Sequence, residues 1–556
     1  MYTGKNASRN TTRTAITYMW SNRRKNRLYV QINNPGVSCI VASINLFVGI
    51  LVQSISKKGS KKMTYLNDIK KEQNKKLTEN GATALNSSGT ALLDLFATSG
   101  ALRERNDKEI ENMFIKAMVE DKTLATKLAF YTRDIREGLG ERRTARIMFK
   151  ALANHYPQIM LDNIHLLFEY GRCDDLLSLL DSEIESKVIE LISKTLKEDL
   201  TNMTKGKSIS LLAKWLPSVN TSSIKSRKLA NKIAYALNLS PKEYRKTLSS
   251  LRAYLNVTEV RMSSKDYSLI KYDEVPSYAM HNYSNAFRRN DSDRFNSYLE
   301  SLKKGESKIN SSTLYPYDII EKILYSNNNI DNTVLEEQWK ALPNYVEEDN
   351  KFLVMADVSG SMYGRPLAAS IGLAMYFAER NKGEFANKFM TFSYRPELVE
   401  IKGKTLYEKI KYISNADWEM NTNLEAAFNL VLDTAVKHNT KKEDLPTSIL
   451  IISDMEIDEC TNVSKWSFYD EMKKRFEDNG YEIPNIVFWN VNARNNTFHA
   501  DMNTKGVQLA SGQSPSVFKS LVSGIYLTPY EYMLSVLNSP RYVQINVQEV
   551  WYYVSM

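Results

Sequence analysis

Cysteine is scarce. Only Cys39, Cys173 and Cys460 occur in 556 residues, far apart and without a C-x-x-C pair. That excludes a disulfide framework and a zinc cluster, and fits a reducing, cytoplasmic compartment. Histidine is nearly as rare: His155, His165, His281, His438 and His499 are scattered without metal-ligand spacing, so each reads as a surface or core side chain. No nucleophile elbow is present. Lys205-Gly206-Lys207-Ser208 has the ending of a P-loop, but Thr201 stands where its leading glycine belongs. No enzyme activity is therefore expected. Long apolar runs are also missing. The best candidate, Val37 to Val52, is sixteen residues broken by Ser38, Ser43 and Asn45, short of the roughly 20 needed to span a bilayer, so no membrane partner is expected.

An excess of one sign of charge is missing from most of the chain as well. The formal net charge is +10, yet residues 1–62 hold eleven Lys or Arg and no acid, leaving 63 bases against 64 acids in the remainder. Global basicity is thus no argument for a polyanion partner. This leader has Arg23, Arg24, Lys25 and Arg27 before its apolar stretch and Lys57, Lys58, Lys61 and Lys62 after it. It lacks an A-x-A cleavage site. The simplest expectation is a leader that is disordered or untranslated, with Met63 as the working start; a short anchor is the alternative.

What is present begins with helical periodicity. Ile110, Met113, Phe114, Ala117 and Met118 recur at i, i+3, i+4, i+7 and i+8, and Ile184, Val188, Leu191, Ile192 and Leu196 form a second stripe. Breaks fall at Gly138, Gly140, Pro157, Gly171, Pro217 and Pro241. From Met63 to Leu342 this predicts successive amphipathic helices, too many for one bundle, stacked as a solenoid.

Charge within this helical part is uneven. Residues 63–200 carry 20 bases and 23 acids, whereas 201–310 carry 20 bases and 9 acids. The excess centres on Lys225, Arg227, Lys228, Lys232, Lys242, Arg245, Lys246, Arg252 and Arg261, with Tyr235, Tyr244 and Tyr254 interleaved. Cations beside aromatic rings suit phosphates and unpaired bases. A solvated helix face with its tyrosines turned inward is the plainer alternative.

Asn327 to Asn350 reads as a linker, after which strands and helices alternate. Strands are predicted near Phe352, near Phe389, from Ser448, from Ile486 and at Val507 to Ala510. Helices are predicted from Pro366, Leu424 and Trp466 and near Pro515 and Pro529. This is the pattern of a parallel sheet covered on both faces. Residues 341–556 hold 21 bases and 27 acids, so this part repels polyanions. The tail from Arg541 to Met556 is left unassigned.

The run Phe352 to Ala356 is apolar throughout, as in a strand buried on both faces. Asp357, Ser359 and Ser361 follow it at D-x-S-x-S spacing, where open α/β sheets place their ligand crevices. Oxygen donors without His or Cys suit a hard divalent cation such as Mg²⁺, and more donors must come from other loops. Thr422 precedes a predicted helix, and Asp454 follows the apolar run Ile449 to Ile452. A capped helix start would explain the D-x-S-x-S alone.

The set Asp357, Ser359, Ser361, Thr422 and Asp454 resembles the metal-ion-dependent adhesion site of von Willebrand factor A domains. That resemblance implies direct coordination by both serines, with the threonine and second aspartate coordinating directly or through water. Together with the helical part, the chain resembles the TROVE family, which includes the Ro ribonucleoproteins. The stretches that carry this are NGATALNSSGTALLDLFATSGALR from Asn80, YTRDIREGLGERR from Tyr131, EYGRCDDLL from Glu169, SLLAKWLPS from Ser210, and MADVSGSM. The resemblance implies HEAT-like helix pairs closing into a ring, with structured noncoding RNA on an outer basic surface and RNA ends in the hole.

The expected architecture is therefore a leader (1–62), a helical TROVE-like RNA-binding domain (63–342), a doubly wound α/β von Willebrand factor A-like domain (343–540) and a tail (541–556), acting as a monomer. The expected function is binding of noncoding RNA, with Mg²⁺ offering an open position to an acidic side chain of a protein partner. The alternatives are a metal-dependent adhesion or scaffold protein without RNA, and a Mg²⁺-dependent phosphoryl-transfer enzyme using Asp357 and Asp454. The latter lacks the second carboxylate two residues after Asp357 that a haloacid-dehalogenase-like phosphatase needs.

Overall fold

The computed structural model describes residues 64–326, 332–346, 351–391, 395–414, 422–459, 468–524 and 526–547. The leader, the Met63 start, Cys39, Cys460 and the end of the tail lie outside them. The chain divides into a unit of residues 1–73 and a unit of residues 74–556. Helix α1 (Thr64–Asn74) covers the described part of the first.

The second unit opens with a short hairpin, β1 (Lys75–Leu77) and β2 (Thr83–Leu85), within the region expected to be helical. Helices follow: α2 (Ala91–Phe96), α3 (Asp107–Glu120), α4 (Lys122–Arg133), α5 (Arg142–His155), α6 (Pro157–Asn163), α7 (Leu167–Tyr170), α8 (Glu185–Thr204), α9 (Leu212–Trp215), α10 (Ile224–Ala236), α11 (Pro241–Tyr254), α12 (Thr258–Ser263), α13 (Ser277–Asn290), α14 (Ser292–Lys303), α15 (Pro316–Tyr325) and α16 (Asn332–Lys340). Their starts are written in the sequence. Asn106 and Asp121 cap α3 and α4 by accepting from Glu109 N and Leu124 N, and Ser240 with Glu243 forms a capping box ahead of Pro241. The stripe of α3 turns Ile110, Phe114, Ala117 and Met118 inward, and that of α8 turns Val188, Ile192 and Leu196 inward. The expected linker is partly helical: α16 lies in it, and Trp339 Nε1 donates to Glu379 at 2.7 Å. Residues 327–331 and 347–350 of that stretch lie outside the described residues.

The α/β part contains β3 (Phe352–Ala356), α17 (Arg365–Arg380), β4 (Lys388–Thr391), β5 (Leu398–Glu400), α18 (Leu406–Ser414), α19 (Leu424–His438), β6 (Ser448–Ser453), α20 (Phe468–Asp478), β7 (Asn485–Asn490), β8 (Val507–Ser511), α21 (Val517–Ser523) and α22 (Pro529–Leu537). Trp466, where a helix start was expected, lies outside the described residues. The sheet order is β5-β4-β3-β6-β7-β8, parallel except for β5, which pairs antiparallel with β4. The five expected strands pair parallel, and the unpredicted edge strand β5 makes the sheet mixed. Its three residues alternate exposed, buried, exposed, as suits an edge facing solvent on one side. The inner strands β3, β6 and β7 are buried along nearly their whole length, as their apolar runs require.

One apolar core runs from the helices through the sheet. The two parts meet backbone to backbone at Gly100 and Gly512: a Cβ on Gly100 would lie 2.6 Å from the Gly512 Cα, and Gly100 N donates to Ser511 Oγ at 3.0 Å. A second, smaller core gathers Tyr272, Met280, Phe287, Phe295 and Val334. The tail is seated too. Arg541 grips both oxygens of Asp134, at 2.8 and 3.1 Å, and Asn546 exchanges hydrogen bonds with Asn163.

Candidate functional site

Strand order reverses between β3 and β6, the place where open α/β sheets bind ligands. Ala356 pairs with Ile452 in register, so Asp357 and Ser453 leave the two strand ends side by side. Asp357 is 2 % exposed. One of its oxygens accepts from Ser359 N at 2.9 Å and the other from Ser453 Oγ at 2.6 Å. Ser359 Oγ and Ser361 Oγ lie 3.0 Å apart, with Ser359 buried and Ser361 exposed, so the turn opens to solvent at its second serine. Burial, joined by the negative charge of Asp454, pushes the Asp357 carboxyl up to about 6 against the pull of the Ser453 and Ser359 hydrogen bonds.

Asp454 is as buried as Asp357. Its Oδ1 accepts from Glu456 N at 3.2 Å and its Oδ2 from Arg494 Nη2 at 2.9 Å. Thr422 is 1 % exposed and turned to other partners: its hydroxyl donates to Asp458 at 2.6 Å and accepts from Asn80 Nδ2 at 3.0 Å. The backbone of Glu456 links the two ligand candidates, its N–H on Asp454 and its carbonyl 3.2 Å from the Thr422 hydroxyl. Asp357, Ser359 and Ser361 thus share one turn, Asp454 lies within reach of their charge, and Thr422 joins through Glu456.

This donor set is all oxygen and its two buried carboxylates repel, so its chemistry fits a hard cation such as Mg²⁺. Among the described residues no three His, Cys, Asp or Glu side chains converge as a metal site, so the serine hydroxyls would have to complete the shell. Sequence reasoning missed Ser453, Asp458, Glu456 and Arg494, and also the hairpin tip. Glu79 N donates to Glu456 Oε2 at 2.7 Å, Asn80 reaches Thr422, and Glu79 pairs with Arg494 at 3.0 Å. The one available signal was that Asn80 opens the first matched stretch.

The second candidate site lies on α10 and α11. Lys225, Arg227, Lys228, Lys242, Arg245 and Lys246 are exposed, and none makes an ion pair among the described residues. Three others have structural partners. Lys232 pairs with Asp181 and Glu185 at 2.6 and 2.9 Å, Arg252 donates to the carbonyls of Ala213 and Leu216, and Arg261 donates to Asn256. Of the tyrosines, Tyr235 is 86 % exposed and Tyr254 40 %, whereas Tyr244 is buried with its hydroxyl donating to Pro217 O. Tyr244 shares the inward face of α11 with Leu248 and Leu251, which removes it as a stacking platform.

The other matched stretches explain one another structurally. Arg133 and Arg146 both bind Asp175, at 2.7 and 2.6 Å, and Arg172 lies 3.8 Å over the Trp215 ring. These contacts draw YTRDIREGLGERR, EYGRCDDLL and SLLAKWLPS together.

Comparison with known proteins follows the same division. Residues 351–532 match the family described as Domain of unknown function (DUF7788), and residues 78–187 and 182–352 match Domain of unknown function (DUF2828). Uncharacterized protein L728 of Acanthamoeba polyphaga mimivirus is 30% identical over 506 residues, covering 84% of this chain and 87% of that protein. The chain belongs to the L728 family. Among solved structures, this L728-family protein is similar to the crystal structure of Deinococcus radiodurans RO (RSR) protein, with TM-score 0.44 and 14% identity over 79% of this chain and 100% of that one. Among the described residues of the L728-family chain, no helix is long and apolar enough to cross a membrane.

Proposed function

We propose that this protein binds RNA through α10 and α11 and holds a divalent cation, Mg²⁺ by donor chemistry, at the turn of Asp357, Ser359 and Ser361. The RNA reading is carried by six exposed cations without acidic partners among the described residues, on two consecutive helices that also present the exposed ring of Tyr235. Such a surface neutralises phosphates and offers a stacking face to an unpaired base. The sequence resemblance to TROVE proteins supports the same reading and supplies its finer form, a HEAT-like ring that takes noncoding RNA. At the metal, Asp357, Ser359, Ser361 and Asp454 would hold the ion, with Thr422 joining once its hydroxyl leaves Asp458. The solvent-facing position beside Ser361 would remain for an acidic side chain of a protein partner. No catalytic role is assigned.

Two experiments separate this from a scaffold without RNA. Purified full-length protein should carry RNA that nuclease treatment removes, and the combined change of Lys225, Arg227, Lys228, Arg245 and Lys246 to Glu should abolish that retention. Retention unaltered by the reversal would rule out the basic helices. At the metal, Mg²⁺ should raise the melting temperature of the wild type and leave Asp357→Ala unmoved.

A further inference from the structure

Arg494 stands on the loop between β7 and β8 with its guanidinium between two carboxylates. Nη2 is 2.9 Å from Asp454 and Nη1 is 3.0 Å from Glu79. Its Nε is buried without a hydrogen-bond partner among the described residues, so two carboxylates alone orient the group. Glu79 is itself held at the hairpin tip, accepting from Asn495 Nδ2 at 2.7 Å while its backbone N–H binds Glu456. The adjacent Asn80 sits on the Thr422 hydroxyl. Burial alone would weaken the charge on Arg494, but Asp454 and Glu79 more than offset it.

From this geometry we propose that Arg494 is a built-in counter-cation of the buried Asp357 and Asp454 pair, and that a divalent ion entering the turn displaces it from Asp454 onto Glu79. This inference rests on the metal reading above. A guanidinium is always charged, so it repels any cation that binds the same carboxylate. Without metal it neutralises Asp454 and keeps two buried carboxylates from facing each other unscreened. With metal its place on Asp454 is lost, and Glu79 is already in contact to receive it. Arg494 is therefore a positioning residue that sets how readily the turn takes an ion, and the β1–β2 hairpin becomes part of the site through Glu79 and Asn80.

The test uses full-length protein and two readouts, thermal melting in EDTA and a Mg²⁺ titration of the melting temperature. In EDTA, Arg494→Gln should lower the melting temperature, and adding Asp454→Asn should recover part of the loss, because the uncompensated carboxylate is then gone. In the titration, the Mg²⁺ midpoint of Arg494→Gln should fall about tenfold below wild type, within the usual range for coupled binding events. Arg494→Lys retains the charge but lacks the fork that spans two carboxylates, so it should fall between the two, and it carries the comparison if the glutamine variant does not fold. Additive losses in EDTA overturn the pairing. Equal Mg²⁺ midpoints in wild type and variant overturn the competition and leave the metal reading standing, whereas no Mg²⁺ response in either protein removes both.

Discussion

Asp175 receives two guanidinium groups in the middle of the helical part. Arg133 is 2 % exposed and Asp175 is fully buried, so neither can turn to water if the other is removed. Asp175→Ala is expected to cost about 3–5 kcal/mol, the range for leaving a buried charge unpaired, as a lowered midpoint in urea unfolding. His281 makes the corresponding pH prediction. Burial, helped by the nearby Lys322, lowers its pKa from 6.5 to about 4, and its Nδ1 faces Gln338 Oε1 at 3.3 Å. The folded chain keeps this imidazole neutral while the unfolded chain protonates it. Stability is then complete above pH 6.5 and is lost as pH falls toward 4, by up to about 3 kcal/mol from this one group. Melting curves of His281→Gln across that range should show a shallower acid loss than wild type. An identical loss would mean that other groups govern it.

Among the elements, the long ones were legible and the short ones were not. β3, β6 and β7 announced themselves as apolar runs without alternation, because both faces of the sheet are covered. β1, β2 and β5 have three residues each, too few for any period to register. The same limit applies to the site. Asp357, Ser359, Ser361 and Asp454 follow strands that could be read, so their position at strand ends could be read too. Asn80 meets Thr422 across 342 positions and Glu79 meets Arg494 across a similar gap, and no local pattern encodes such a meeting. Tyr244 shows the opposite failure: its spacing among cations looked like a stacking pattern, and the inward stripe of α11 took it instead. Gly100 gives a prediction at this scale. Its missing side chain lets the loop after α2 lie on the loop after β8, where a Cβ would stand 2.6 Å from backbone. Gly100→Ala is expected to destabilise by about 1–3 kcal/mol through overpacking, measured by thermal melting.

At the scale of the molecule, residues 74–556 form one compact unit rather than two parts on a flexible joint. The hairpin at its start closes on the α/β part, and Arg541 and Tyr542 near its end close on Asp134, Glu169 and Tyr170 of the helices. Arg541→Ala should therefore loosen both parts in a single transition. Two transitions in calorimetry would mean that the parts unfold independently. Within this unit, charge is segregated: 201–310 carries an excess of +11 while 341–556 is acidic on balance, with 21 bases and 27 acids. RNA would thus be held on the helices and kept off the sheet. The most direct measurement is the affinity for a fluorescent single-stranded RNA as a function of salt, for wild type and for the variant with Lys225, Arg227, Lys228, Arg245 and Lys246 changed to Glu. Wild type is expected to show a steep fall of log affinity with log salt, and the variant a slope shallower by about 3–4, the contribution of five lost single-strand phosphate contacts. Equal slopes in the two proteins would contradict RNA binding on α10 and α11.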